Sequence, residues 1–437
     1  MKIENLNGYQ QVEYRYLKDL QSEAWVLEHE KTKAKIIVIE NDDENKVFYI
    51  GFRTTPKEST GVAHILEHSV LCGSQNFPVK DPFIELAKGS LNTFLNAMTY
   101  PDKTVYPVAS CNDKDFQNLM HVYLDAVFYP NIYKHNKTFL QEGWHYELES
   151  EEAPLTINGV VYNEMKGAFS SPDDVMEREI LNSLFPDNIY SEESGGDPEC
   201  IPFLTYDHFL EIHKNYYHPS NSYIFLYGNM DMEEKLKFLD ENYLSHFDYL
   251  SMDTQIEEQR PFSKPMTLCK EYSVATEEEM ENGTYFSYNT AMENNLNEEH
   301  YLAFQVLDYV LCSAPGAPLK QKLLEAGLGT EIYGFYDNGV KQPYFSIVAK
   351  NCHQERREEF VQLIEETLKE LIEKGLDKKS LTAALTYYEF KYKEADFGSY
   401  PPGLVYGLQI LDSWIYDDKK PFLHLEANET FQRLREK

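Results

Sequence analysis

Two short apolar stretches, AKIIVIEN from Ala34 to Asn41 and KVFYIGFRTT from Lys46 to Thr55, are separated by the polar DDEN. Runs of this length, rich in β-branched and aromatic residues and bounded by a polar turn, read as strands, and the pair as an antiparallel hairpin. The spacing then turns helical through GVAHILEHSVL, Gly61 to Leu71. Two more strands are predicted at LNTFLNAMTY, Leu91 to Tyr100, and KTVYPVAS, Lys103 to Ser110, joined through Pro101-Asp102. From Asn112 to Phe128 apolar residues recur at helical spacing, with Asn112 or Asp113 as cap and Pro130 beyond the end. Asn158-Gly159 signals a second hairpin, after which the chain turns helical around Glu164. Helices at Thr205 to Tyr216 and Met232 to Leu244 flank an apolar strand, SYIFLYGN, from Ser222 to Asn229.

From Asp248 to Pro265 the chain is polar and carries two prolines, which predicts a linker. Beyond it the order begins again. A strand at Gly283 to Ala291 precedes a helix at Glu298 to Leu311, strands at TEIYGFYD and PYFSIVAK, and helices at Glu355 to Lys374 and Lys378 to Ala395. The expected class is α+β: two tandem homologous α/β-sandwich domains, each a mostly antiparallel sheet with helices on one face. Their expected bounds are 1–247 and 266–437, with 248–265 between them. Only the first contains an HxxEH sequence.

At 437 residues the chain exceeds one ordinary core, in keeping with two units. Its formal charge of -33, with 40 basic against 73 acidic residues, argues against a nucleic-acid partner, because phosphate contacts need clustered Lys and Arg. The six cysteines form no CxxC pair and predict reduced thiols. No apolar run approaches the roughly 18 residues that cross a bilayer, so no membrane partner is expected. The N-terminus mixes acids and bases without an apolar core, and a cytoplasmic location is the expectation.

The helical stretch carries the chemistry. His64 and His68 stand one turn apart on one helix face, where both imidazoles reach a single ion, and Glu67 flanks that face. Two neutral imidazoles and one carboxylate leave a fourth tetrahedral position for water, the arrangement of a catalytic rather than a structural zinc. A neighbouring carboxylate can take a proton from water whose pKa the metal lowers. The residues alone leave the third ligand open among Glu142, Glu147, Glu149 and Glu164.

The order H-x-x-E-H is the inverted zinc motif. HILEHSVLCGS resembles the pitrilysin/insulinase metallopeptidases, the inverzincins. FLNAMTYPDKTVYPVAS, QEGWHYELE and GVVYNEMKGAFSSP are similar to the presequence protease and falcilysin branch, and SGGDPECIPFLTYDHF and YYHPSNSYIFLYGN extend the likeness through Asn229. The resemblance implies one Zn2+ per chain held by His64, His68 and Glu164, with Glu67 as the general base that activates water. It also implies that Asn96, Ala97 and Met98 lie on an edge strand where a substrate peptide adds to the sheet, the small Ala97 allowing close approach. Glu142 is a candidate acceptor for the outer N–H of a zinc-binding imidazole.

The implied activity is zinc-dependent endopeptidase hydrolysis of short unstructured peptides. In the family a second half supplies an arginine and a tyrosine to the peptide and the developing oxyanion, and no position here matches them. The expected partner is therefore the C-terminal half of the same enzyme or a homologous subunit, and the isolated chain is expected to be weakly active or inactive. The alternatives are a non-catalytic scaffold or binding subunit, or a half-length subunit of a dimeric processing peptidase.

Overall fold

The structure, a computed structural model, describes residues 6–274, 283–395 and 397–437, so the first five residues of the N-terminal stretch lie outside the described part. The chain forms two compact units. The first comprises residues 1–169, 192–256 and 397–409, and the second residues 170–191, 257–396 and 410–437. These bounds differ from the expected 1–247 and 266–437, because each half of the chain lends a segment to the other unit. Residues 170–191 join the second unit through contacts such as Lys350 Nζ to Asp173 Oδ1 at 2.7 Å and the Phe185 ring against Tyr344. Residues 248–265 contain no helix or strand.

The main sheet of the first unit has eight strands: β1 (Tyr9–Leu17), β2 (Ser22–His29), β3 (Lys35–Glu40), β4 (Lys46–Arg53), β5 (Asn92–Leu95), β6 (Met98–Thr99), β7 (Lys103–Ser110) and β10 (Ser222–Gly228). Their order is β1-β2-β3-β10-β4-β7-β5, with β6 also paired to β7. All pairings are antiparallel except β3 with β10. The predicted hairpin of β3 and β4 is therefore not formed: both strands exist, but β10 lies between them. Its SYIFLYG run is buried at every position, so it gains most where both neighbours and both faces cover it. A small two-stranded sheet pairs β8 (His145–Glu147) with β9 (Thr156–Asn158).

The helices of this unit up to residue 169 are α1 (Val62–Val70), α2 (Pro82–Gly89), α3 (Asp113–Phe128), α4 (Lys137–Glu142) and α5 (Val160–Ala168). Asn112 caps α3 as predicted, its side chain accepting from Asp115 N–H, and Thr205 does the same for the helix Tyr206–Tyr216. One face of the sheet, including Phe48, Ile50, Tyr106, Val108, Ile224 and Leu226, packs on Ile65, Leu66 and Val70 of α1 and on Phe116, Leu119 and Tyr123 of α3. On the other face Tyr49 donates to Gly407 O at 2.8 Å. A Cβ on Gly407 would stand 2.6 Å from the Tyr49 ring, which is why the helix Pro402–Trp414 presents glycine there.

The second unit centres on an antiparallel sheet ordered β11 (Thr284–Ala291), β13 (Tyr344–Cys352), β12 (Glu331–Asp337). Phe286, Leu319, Leu323, Ile347, Phe360 and Ile364 form its core. Among the described residues, Glu298–Glu325 is the one stretch long and apolar enough to cross a bilayer by length and composition. It bends through a π turn at Tyr309–Ser313 and loses helical form at residues 314–317, and its Leu302, Val306, Leu319 and Leu323 are buried in the unit's cores.

Candidate metal centre

Helix α1 begins where two glycines allow the chain to cross another segment at close range. Gly61 has φ 67°, and a Cβ there would lie 2.6 Å from Gly195 O and 2.7 Å from Gly196 Cα. Ser59 pins the crossing loop, its Oγ accepting from Glu193 N–H at 3.0 Å and its carbonyl accepting from Asp197 N–H at 2.8 Å. This contact presents the Gly195 carbonyl to the first histidine of α1.

His64 Nδ1 lies 3.0 Å from Gly195 O. A carbonyl only accepts, so Nδ1 is the donor, which leaves Nε2 as the nitrogen that can offer a lone pair to a metal. That Nε2 stands 3.7 Å from Glu164 Oε2. One turn on, His68 Nδ1 faces Glu142 Oε2 at 3.4 Å while its Nε2 stands 3.8 Å from the same Glu164 oxygen. The two imidazoles cross edge to face, with centroids 4.9 Å apart and 79° between their planes.

Two nitrogens thus converge on one carboxylate oxygen beyond hydrogen-bond reach. Ligand atoms around tetrahedral zinc are separated by about 3.4 Å, given metal–ligand bonds of about 2.0 to 2.2 Å. The observed gaps are close to that separation, and all three ligand atoms lie within 4.8 Å of one another. The donor set, two imidazoles and a carboxylate, suits Zn2+.

The supports differ in exposure. His64 is 9% exposed and Glu142 7%, whereas the Glu164 side chain is 54% exposed. The Glu142 carboxylate accepts from Gln141 Nε2 at 2.7 Å and from Cys72 Sγ at 3.5 Å besides facing His68. Burial works to raise the Glu142 pKa, but hydrogen bonds from His68 and Gln141 outweigh it and leave the pKa lowered. For His68 burial works against the charged ring, yet the Glu142 hydrogen bond and the Glu67 and Glu164 charges leave its pKa raised. Glu142→Ala is expected to weaken zinc binding about 10- to 100-fold, as loss of an outer partner of a ligating histidine does. A competition titration against a chromophoric chelator measures this, and an unchanged affinity would remove Glu142 from the site.

Glu67 is half-buried on α1 next to His68. Beneath it lie the buried hydroxyls of Tyr106, Tyr123 and Tyr217, with Tyr106 and Tyr217 2.8 Å apart. Burial raises all three pKa values, and the Glu67 charge raises them further. Asn96 and Ala97 fall between β5 and β6, and Met98 opens β6, at the edge of the main sheet. Asn96 is exposed, Ala97 packs on the core, and α1 lies against β6.

Asn158-Gly159 does not turn a hairpin. The link between β8 and β9 is residues 148–155, and Gly159 instead starts α5, where a Cβ would meet Gly143 O at 2.1 Å. That approach delivers Glu164 to the histidines. Gly195, Tyr123, Cys72 and the Tyr106–Tyr217 pair were not foreseen. A backbone acceptor has no side-chain signature, and buried tyrosines read as ordinary core.

Comparison with known proteins finds matches along much of the chain. The profile described as insulinase (peptidase family M16) matches residues 47–168, and that described as peptidase M16 inactive domain matches residues 204–388. Protein HypA of Clostridium perfringens is 52% identical over 435 residues, covering 100% of this chain and 44% of the relative. Presequence protease 1, chloroplastic/mitochondrial, of Arabidopsis thaliana is 43% identical over 433 residues, covering 98% of this chain and 40% of the relative. The chain thus spans less than half the length of these curated relatives. In fold it is similar to the crystal structure of pitrilysin, with a TM-score of 0.64 and 17% identity over 98% of this chain and 45% of that one. A protease from Helicobacter pylori gives a TM-score of 0.63 at 13% identity, covering 95% of this chain and 96% of that one.

Proposed function

Because the chain belongs to the M16 (insulinase/pitrilysin) family of peptidases, we propose that it is the metal-bearing part of a zinc-dependent endopeptidase acting on short, unstructured peptides. The observation that carries this reading is the convergence of His64 and His68 Nε2 on Glu164 Oε2, with both Nδ1 atoms already engaged. Bound Zn2+ would supply a Lewis acid that lowers the pKa of water and polarises a peptide carbonyl. Glu67 takes the proton from the attacking water and returns it to the leaving amine. His64 and His68 keep their orientation through Gly195 O and Glu142. The open edge at β5 and β6 receives the peptide backbone as an added strand, a mode tolerant of sequence.

The working enzyme includes polypeptide beyond these residues, either the remainder of a longer chain or a homologous subunit, and operates in the cytoplasm. Relatives more than twice this length support the need for further polypeptide. The test is a digest of an unstructured peptide by the zinc-loaded chain, with metal analysis alongside. Zinc at one per chain and weak, chelator-sensitive cleavage are expected. A chain without zinc would overturn the metal reading. Turnover at full enzyme rates by the isolated chain would overturn the need for a partner.

A further inference from the structure

One backbone hydrogen bond in the edge ladder is made by a side chain instead of a strand. Residues Phe94 to Thr99 face β7 in a constant register, from Phe94 opposite Ala109 to Thr99 opposite Thr104. The same register puts Asn96 opposite Pro107. Asn96 N–H donates to Pro107 O at 3.3 Å, which makes this a hydrogen-bonded pair whose partner normally returns an N–H. Proline has no N–H to return. The Asn96 carbonyl is met instead by the Tyr123 hydroxyl of α3, which donates to it at 3.1 Å from a fully buried ring.

The consequence reaches the open side of the strand. In an antiparallel ladder the backbone groups of alternate residues point to alternate sides, so those of Leu95, Ala97 and Thr99 face away from β7 toward the free edge. We propose that Tyr123 is a positioning residue for peptide docking: its hydroxyl replaces the ladder bond Pro107 cannot make and so fixes the open edge beside the metal helix. The inference rests on the reading that this edge receives the substrate. Burial, assisted by the Glu67 charge, keeps the Tyr123 phenol protonated and therefore a donor. Without it the Asn96 carbonyl faces the interior unsatisfied, and the strand shifts to recover a partner.

The test uses the zinc-loaded chain carrying Glu67→Gln, which holds a peptide without cutting it, and reads binding of a labelled unstructured peptide by fluorescence anisotropy. Adding Tyr123→Phe is expected to weaken binding about 3- to 10-fold, the size of one net hydrogen bond, with zinc content unchanged. Adding Pro107→Ala to that variant restores an N–H opposite Asn96 and is expected to bring binding back to within about twofold. Parent-like binding by Tyr123→Phe, or failure of Pro107→Ala to rescue it, overturns the inference. A parent that binds no peptide overturns the docking reading, and the inference with it.

Discussion

His68→Ala is expected to abolish stoichiometric zinc binding, a loss larger than the about 10- to 100-fold set for an outer partner such as Glu142. The substitution deletes one of the two nitrogens that face Glu164 Oε2 and leaves the buried Glu142 carboxylate without its imidazole. A thermal readout separates metal binding from catalysis. A ligand that binds only the folded chain stabilises it by RT ln(1 + [L]/Kd), about 2.7 kcal/mol at one hundred times Kd. The parent should therefore gain Tm with added zinc, and His68→Ala should gain none at the same concentration. A variant that keeps the parent's zinc-dependent rise would sink the ligand assignment, whatever its activity.

Ligand sets of this kind are only partly visible along a chain. His64 and His68 were legible because a helix converts a four-residue spacing into one face, and the apolar flanks of α1 made the helix legible too. Spacing leaves Glu164 open among four glutamates and only the resemblance names it, since it lies 96 residues beyond His68 (164 minus 68) and stands near the histidines where Gly159 lets α5 start against Gly143. The resemblance places Asn96 to Met98 and the structure sets them at the sheet edge, but that the Tyr123 hydroxyl stands in for the N–H Pro107 lacks is visible only once the register is known.

The misreadings share one cause. The apolar, β-branched runs of β3 and β4 correctly give two strands, yet pairing is a choice among partners, and β10 competes for both from far along the chain. Asn-Gly favours a tight turn locally, but the demand for a residue without a Cβ beside Gly143 O decides what Gly159 does. The compact units are discontinuous in sequence for the same reason: Gly407 seats its segment on the Tyr49 ring of the first unit, although it follows the second unit's strands in sequence. Local propensity is read correctly in each case and then overruled by tertiary contact.

Glu67→Gln is expected to lower peptide hydrolysis by about 10²- to 10⁴-fold while zinc stays bound at the parent's affinity. The amide matches the carboxylate in size but cannot take a proton from water, so the loss falls on the chemical step, at about 2.7 to 5.4 kcal/mol of barrier. Glu67 is not one of the three converging ligands, and His64, His68 and Glu164 keep their partners in the variant. Loss of zinc would show that Glu67 ligates the metal, and retained hydrolysis would place the base elsewhere. The comparison is made on whichever assembly turns over peptide, the chain alone or the chain with its partner. It also separates an enzyme from a scaffold: a scaffold has no chelator-sensitive rate for this substitution to remove, while a peptidase loses its rate and keeps its metal and its peptide.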